Sequence, residues 1–135
     1  IPIDSPYQAI ILASLIENET ALDKEKPMIS SVFIGRLNSN MRLQTDPTVI
    51  YALGDKYSPP LTRSDLQFNH PYNTYRNKGL PPGAISSVGY QSLFAALHPA
   101  KGNDLYFVSK KDGSHAFAKT YDEHKENIKK YLKVN

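Results

Sequence analysis

The sequence predicts an α+β fold in which helices come first and a β-hairpin and a last helix follow. Apolar residues repeat at helical spacing near the N-terminus, as in Leu12 with Ile16. Residues 57–85 contain five prolines and two glycines, too many for one regular element, yet they also carry the apolar bulk of an ordered loop. Two short apolar runs then flank Lys111-Asp112-Gly113, which is typical of a hairpin turn.

Start and stop signals set the expected bounds of the elements. Ser5-Pro6 predicts a helix start, because proline is favoured at the first helical position. Gly54 predicts a helix end, and Thr120 with Glu123 predicts a capping box before the last helix. The expected helices are 7–19, 27–37, 46–53 and 87–97, and the expected strands are 104–109 and 114–119.

Composition restricts the classes of protein to which the chain can belong. Its 135 residues and 40% hydrophobic content fit one globular domain, 1–135. Without cysteine it forms neither a disulfide nor a cysteine-ligated metal site. The net charge of +3 suits an anionic polymer, but no nucleic-acid motif is present. No apolar run approaches the roughly 20 residues of a membrane span, and the opening Ile1-Pro2 predicts a fragment of a longer protein.

Glu17 is the first candidate for chemistry. It follows Leu15-Ile16 at the end of an apolar helix, where burial would raise the pKa of its carboxyl group. A carboxyl that stays protonated near neutral pH can act as a general acid. The alternative is that Glu17 only marks the point where the helix meets solvent, with Glu19 as an ordinary exposed neighbour.

The segment 41–48 is a candidate for binding a polar ligand. Thr45 or Asp46 is expected to cap the helix that follows. Gln44 has no such duty, so its amide could offer both a donor and an acceptor to a sugar.

The segment 71–75 is a second candidate. Asn73 and Tyr75 alternate along a predicted extended stretch, so their side chains should point the same way. An amide beside an aromatic ring suits an N-acetylated sugar. The alternative is that Tyr75 fills the core beneath the loop.

Other chemistries have little support. No serine or cysteine nucleophile motif and no phosphate-binding glycine pattern is present. The histidines lack the paired spacing of a metal site; they are His70, His98, His115 and His124. We therefore expect neither a metal nor another cofactor.

Seven runs of the sequence point to one protein family. They are LASLIENET (12–20), SVFIGRL (31–37), MRLQTDPTVIY (41–51), YNTY (72–75), GLPP (79–82), ALHPA (96–100) and LYFV (105–108). In this order, and over nearly the whole chain, they resemble the YceG-like (MltG) family of endolytic murein transglycosylases. The run that contains LQTDPT is the most specific.

The resemblance implies a lytic transglycosylase, which cleaves the β-1,4 bond between N-acetylmuramic acid and N-acetylglucosamine without consuming water. The family's catalytic glutamate lies in the motif matched by Glu17-Asn18-Glu19-Thr20, and we assign the role to Glu17. Glu17 would protonate the glycosidic oxygen and then take the proton of the muramic C6 hydroxyl, which closes a 1,6-anhydro ring. Substrate binding is expected from Gln44, Thr45, Asn73, Tyr75 and Glu19.

The resemblance also implies a place of action. Family members act on nascent peptidoglycan strands, near peptidoglycan synthases, at the outer face of the bacterial cytoplasmic membrane. Only an N-terminal anchor outside this segment would touch the membrane, and no nucleic-acid partner is expected. The active-site region is expected to be lysozyme-like.

Two other functions fit the same residues. A lysozyme-like hydrolase would pair Glu17 with a second carboxylate and would leave reducing ends on its products. The candidates for that second carboxylate are Glu19, Asp46 and Asp65. A non-catalytic glycan-binding module would not need Glu17 at all.

Overall fold

The computed structural model describes residues 3–132, so the predicted domain ends at residues 1 and 135 lie outside the described residues. The predicted α+β class is confirmed: this part of the chain contains five helices and one two-stranded antiparallel sheet. The elements in chain order are α1 (Pro6–Glu19), α2 (Lys26–Asn38), α3 (Asp46–Leu53), α4 (Tyr90–Leu97), β1 (Tyr106–Ser109), β2 (His115–Ala118) and α5 (Tyr121–Tyr131). No helix within residues 3–132 has both the length and the apolar character that crossing a membrane requires.

Two of the expected helix starts form as the sequence indicates. The Ser5 hydroxyl accepts the backbone N–H of Gln8 at 3.2 Å at the start of α1. At the start of α5 the Thr120 hydroxyl accepts the N–H of Glu123 at 3.2 Å, and the Glu123 carboxylate accepts the N–H of Thr120 at 3.1 Å. Each cap satisfies backbone donors that the first helical turn leaves without partners.

The helix α1 lies at the centre of the core. Its residues from Ile11 to Ile16 are all buried, because α2, α3 and α4 pack around it. A helix enclosed in this way needs apolar residues around its whole circumference rather than along one stripe. Phe33 of α2, which is fully buried, packs in the same cluster and meets Phe107 of β1 edge to face at 5.8 Å.

Arg36 fastens the hairpin to the helical core. Its Nε donates to the carbonyl of Leu105 at 2.7 Å, and its Nη1 donates to the carbonyl of Arg42 at 2.9 Å. The guanidinium also lies over the ring of Tyr106, 5.0 Å from the ring centre. One side chain therefore joins α2, the segment before α3 and β1.

The segment 71–76 is not extended, which corrects the predicted alternation of Asn73 and Tyr75. The backbone folds into successive turns, with the N–H of Asn73 bonded to the carbonyl of His70 and the N–H of Arg76 bonded to the carbonyl of Asn73. Pro71 and a run of polar residues favour turns here over a strand.

Asn73, which was predicted to bind substrate, lies inside the loop and does not line the cleft described below. It is 0% exposed. Its Nδ2 donates to the carbonyls of Leu66 and Phe68 at 3.0 and 2.7 Å, and its Oδ1 accepts the N–H of Tyr75 at 2.9 Å. The amide satisfies half-buried backbone groups that the loop would otherwise leave without partners.

We expect Asn73→Ala to destabilise the fold by about 1–3 kcal/mol, because two half-buried carbonyls and one N–H lose their partner. Chemical denaturation measures the loss. Asn103→Ala is the matched control, since Asn103 is exposed, and its effect should stay within about 0.5 kcal/mol. Equal stability of the two variants would contradict the structural role of Asn73.

Candidate active site

Polar and aromatic side chains meet in a cleft of about 340 Å³ between the end of α1, the start of α3 and the hairpin. Of the predicted site residues, Glu19, Gln44 and Tyr75 line this cleft, whereas Glu17, Thr45 and Asn73 do not. The complete lining is Glu19, Gln44, Asp46, Tyr75, Phe107, Val108, Ser109, His115 and Leu132.

Of the carboxyl groups that line this cleft, that of Glu19 is the most strongly desolvated. Loss of hydration raises the pKa of Glu19 to about 7, and the negative charge of Asp46 acts in the same direction. The hydroxyl of Thr45, which donates to Glu19 Oε2 at 2.6 Å, opposes the rise because it favours the ionised form. Glu19 can therefore exchange a proton near neutral pH, so it is not the ordinary exposed neighbour that the alternative for Glu17 assumed.

Three buried threonines hold Glu19 in place. The Thr48 hydroxyl donates to the carbonyl of Thr45 at 2.7 Å and lies 2.8 Å from the hydroxyl of Thr74. The Thr74 hydroxyl accepts the N–H of Thr45 at 3.0 Å. These bonds fix both the N–H and the carbonyl of Thr45. The backbone of Thr45 is therefore held where its hydroxyl can donate to the Glu19 carboxylate.

Thr45, which was predicted to bind substrate, supports Glu19 in this structure and does not line the cleft. Only 2% of its surface is exposed, and its hydroxyl is committed to the carboxylate. Neither Thr45 nor Asp46 caps α3 as expected, since the helix begins after Thr45 with no side-chain cap bond. Pro47 in the first turn lacks an N–H group, which leaves fewer donors for a cap to satisfy.

The environment of Glu17 is opposite to the predicted one. Its Oε1 accepts the N–H of Gly89 at 2.9 Å and the hydroxyl of Ser92 at 2.9 Å. These two hydrogen bonds lower the pKa of Glu17, which corrects the expectation that burial raises it. A carboxylate at the start of α4 also complements the helix dipole, so Glu17 links α1 to α4.

Gln44 has a backbone conformation that residues other than glycine rarely adopt. Its φ is 52°, in the left-handed region, although it is not a glycine. The N–H of Gln44 is bonded to the carbonyl of Thr74 at 3.3 Å. Because such a conformation costs free energy, the cleft wall that Gln44 forms is maintained by the threonine contacts around it.

Tyr75 is part of the cleft lining. The hydroxyl donates to Asp46 Oδ1. Desolvation, followed by this hydrogen bond, raises the pKa of Tyr75 above its usual range, so the hydroxyl keeps its proton. One oxygen of Asp46 is thereby occupied, and the tyrosine is neither free in a groove nor wholly part of the core.

His115 and Glu25 belong to the site but were not predicted. His115 begins β2 and lines the cleft, and its Nδ1 lies 2.8 Å from Glu25 Oε1. The two residues are 90 positions apart, and no spacing pattern connects them. The available signal was the alternation of His115 with Phe117 on β2, which places both side chains on the face that packs against the core.

A second cavity, of about 470 Å³, lies beside the N-terminal half of α1 and the helix α4. Its lining is mainly apolar, and Asp4 is the one ionisable residue among the described residues that form it. Within residues 3–132, no three His, Asp or Glu side chains are grouped closely enough to hold a metal ion.

The chain is similar to named proteins over almost all of its length. It is 45% identical to the endolytic murein transglycosylase of Bacillus subtilis (strain 168) over 128 residues, which cover 95% of this chain and 35% of that protein. It is 30% identical to the endolytic murein transglycosylase of Streptococcus pneumoniae serotype 2 (strain D39 / NCTC 7466) over 131 residues, which cover 93% of this chain and 24% of that protein. The chain thus spans about a quarter to a third of the length of these relatives.

A solved structure has the same fold. The crystal structure of a YceG-like protein from Listeria monocytogenes superposes with a TM-score of 0.78 and 49% sequence identity, covering 85% of this chain and 36% of that chain. The model of the YceG-like family matches residues 2–130. On this match and these relatives, the chain belongs to the YceG-like family.

Proposed function

We propose that this chain is the catalytic domain of a peptidoglycan lytic transglycosylase, with Glu19 as the acid and base. The observation that carries the proposal is the Glu19 carboxyl, desolvated in an open cleft with a pKa of about 7. Two relatives named endolytic murein transglycosylases support the substrate class. Glu19 lies in the same short motif as Glu17, so the family's catalytic glutamate could correspond to either residue. We propose Glu19 because its carboxyl is the desolvated one and lines the cleft.

One carboxyl is sufficient for the proposed reaction. Protonated Glu19 gives its proton to the glycosidic oxygen as the bond from that oxygen to C1 of N-acetylmuramic acid breaks. The Glu19 carboxylate then removes the proton of the C6 hydroxyl of the same sugar, and this oxygen forms a new bond to C1. Glu19 ends protonated, no water is consumed, and the product has a 1,6-anhydro end. A pKa near the working pH suits both proton transfers.

Gln44 and Tyr75 are the proposed substrate contacts beside Glu19. The amide of Gln44 can accept from and donate to an acetamido group, and Gln44 lines the cleft, where its N–H is bonded to the carbonyl of Thr74. Tyr75 lines the same cleft and is anchored through Asp46. Asn73 and Thr45 do not line the cleft. Asn73 supports the loop, and Thr45 supports Glu19.

A hydrolase remains the second candidate because Asp46 brings another carboxylate to the cleft. In that reaction Asp46 would activate water or form a covalent intermediate. Asp65, the other predicted partner, bonds to Thr62 within the loop and does not line the cleft. Asp46 also has one oxygen committed to the Tyr75 hydroxyl, which favours the transglycosylase.

We further propose that the domain works on nascent strands at the outer face of the bacterial cytoplasmic membrane, close to peptidoglycan synthases. The support is the substrate itself, since a peptidoglycan strand is assembled there. A longer chain, as in the relatives, would supply the membrane anchor.

We expect Glu19→Gln to reduce strand cleavage by about 100- to 10,000-fold, because the amide cannot donate or accept the proton. Glu17→Gln is the matched control: its amide oxygen can still accept from Gly89 and Ser92, so activity should stay within a few-fold. Release of soluble fragments from purified glycan strands measures both rates. A large loss in Glu17→Gln with little loss in Glu19→Gln would assign the role to Glu17 instead.

The pH dependence should follow the protonation of Glu19. Its pKa is raised to about 7, so the acid form needed for the first step is present below this pH and is lost above it. We expect kcat/KM to fall with increasing pH on a limb centred near 7, approaching about tenfold per pH unit. A limb near 4.5, the usual value for glutamate, would show that the acting carboxyl is not desolvated.

The products distinguish the two enzyme candidates. A transglycosylase leaves 1,6-anhydro ends, so each product should be lighter by one water than the corresponding hydrolysis product. Mass spectrometry of fragments from purified glycan strands provides the measurement. A majority of reducing ends would favour the hydrolase with Glu19 and Asp46.

A further inference from the structure

His115 is a cleft residue that the proposed reaction does not use. Its side chain is only 9% exposed. The Glu25 carboxylate binds it twice: Oε2 accepts the backbone N–H of His115 at 2.9 Å, and Oε1 lies 2.8 Å from the ring Nδ1. Both oxygens of one buried carboxylate are thus spent on a single residue.

The surrounding elements fix the plane of the His115 ring. Glu25 closes a 3-10 turn, Asp23–Glu25, immediately before α2. Phe107 of β1 meets the imidazole edge to face, with ring centres 5.4 Å apart and planes at 88°. The ring is therefore held by a hydrogen bond at one edge and by an aromatic contact on the neighbouring strand.

This arrangement determines which ring nitrogen carries the proton when the ring is neutral. An ionised carboxylate only accepts hydrogen bonds, so Nδ1 must donate to Glu25. The other nitrogen, Nε2, then carries a lone pair and no hydrogen. Among residues 3–132, no group forms a hydrogen bond to Nε2, and His115 lines the cleft that contains Glu19.

We propose that His115 binds the glycan, with Nε2 accepting a hydrogen bond from a sugar hydroxyl, and that Glu25 is the positioning residue that sets the tautomer. The inference rests on the proposed function, which supplies a glycan as the ligand. The cleft is rich in acceptors: Glu19 from α1, Asp46 from α3 and Gln44 beside it. A lining of this kind matches neutral hydroxyl donors and repels anionic groups.

The Glu25→Gln variant reverses the tautomer. The backbone N–H of His115 can only donate, so the oxygen of the new amide must face it. The amide NH2 is then opposite Nδ1, which must accept, and the ring proton moves to Nε2. Nitrogen NMR of the full chain labelled with 15N distinguishes the two tautomers. At a pH where the ring is neutral, we expect the proton on Nδ1 in the parent and on Nε2 in Glu25→Gln. A proton on Nε2 of the neutral parent ring would overturn the proposal.

Binding tests the contact itself. In the binding experiment the parent is the Glu19→Gln variant, which should bind a strand without cleaving it. Purified glycan strands are titrated into it, and calorimetry measures the affinity. His115→Asn keeps an amide that can donate to Glu25 but has no atom at the position of Nε2. We expect both His115→Asn and Glu25→Gln in this background to bind about 3- to 10-fold more weakly, the usual value of one hydrogen bond.

The outcomes separate the two proposals. If the parent binds glycan and both variants bind it as tightly as the parent does, the role proposed for His115 is wrong and the proposed function stands. If the parent does not bind glycan, the proposed function fails, and with it the ligand assigned to His115. Should His115→Asn not fold, as judged by its melting temperature, Glu25→Gln alone decides the comparison, because its side chain has the same shape as glutamate.

Discussion

The site depends on the helical period of α1. Successive residues of an α-helix are rotated by about 100°, so Glu17 and Glu19 leave the helix about 200° apart and face opposite sides. Glu17 reaches the start of α4 and accepts the Gly89 N–H, while Glu19 reaches the cleft and accepts the Thr45 hydroxyl. Because α1 is buried among α2, α3 and α4, neither side chain can exchange its position without repacking the core. One rigid helix therefore directs one carboxylate to the start of α4 and the other into the cleft.

Keeping Glu19 in a desolvated position costs stability, which the surrounding hydrogen bonds must offset. A carboxyl whose folded pKa is raised from 4.5 to about 7 makes the fold less stable as the pH increases through that interval. The Thr45 hydroxyl opposes the shift, and the buried hydroxyls of Thr48 and Thr74 hold Thr45 in place. The loop around Asn73 supplies both Thr74 and Tyr75, so the long Pro/Gly-rich segment supports Glu19 and also forms part of the cleft lining.

Local signals were sufficient to predict the elements but not the site. The caps at Ser5 and Thr120 depend on residues within three positions of each other, and both formed as expected. The pKa of Glu17 could not be predicted, because its environment is made by Gly89, 72 residues away. The pairing of Glu25 with His115 bridges 90 residues. Gln44, Tyr75 and Glu19 were recognised as site candidates, yet which glutamate is desolvated is decided by packing that no local pattern encodes.

The charges of the cleft also bear on the type of reaction. The chain has a net charge of +3, but the cleft lining contains carboxylates and no lysine or arginine among its described residues. A second carboxylate is therefore present, and its availability decides between the two enzyme candidates.

Asp46 accepts a hydrogen bond from the hydroxyl of Tyr75, which keeps its proton because desolvation raises the pKa of Tyr75. To activate water, Asp46 would have to accept a further proton while retaining this bond. Glu19 likewise accepts one hydroxyl, that of Thr45, but in the proposed reaction the nucleophile is already attached to the sugar, so one carboxyl is sufficient. The proposed attack by the C6 hydroxyl therefore leaves the bond between Asp46 and Tyr75 intact, whereas attack by water would require Asp46 to act as well.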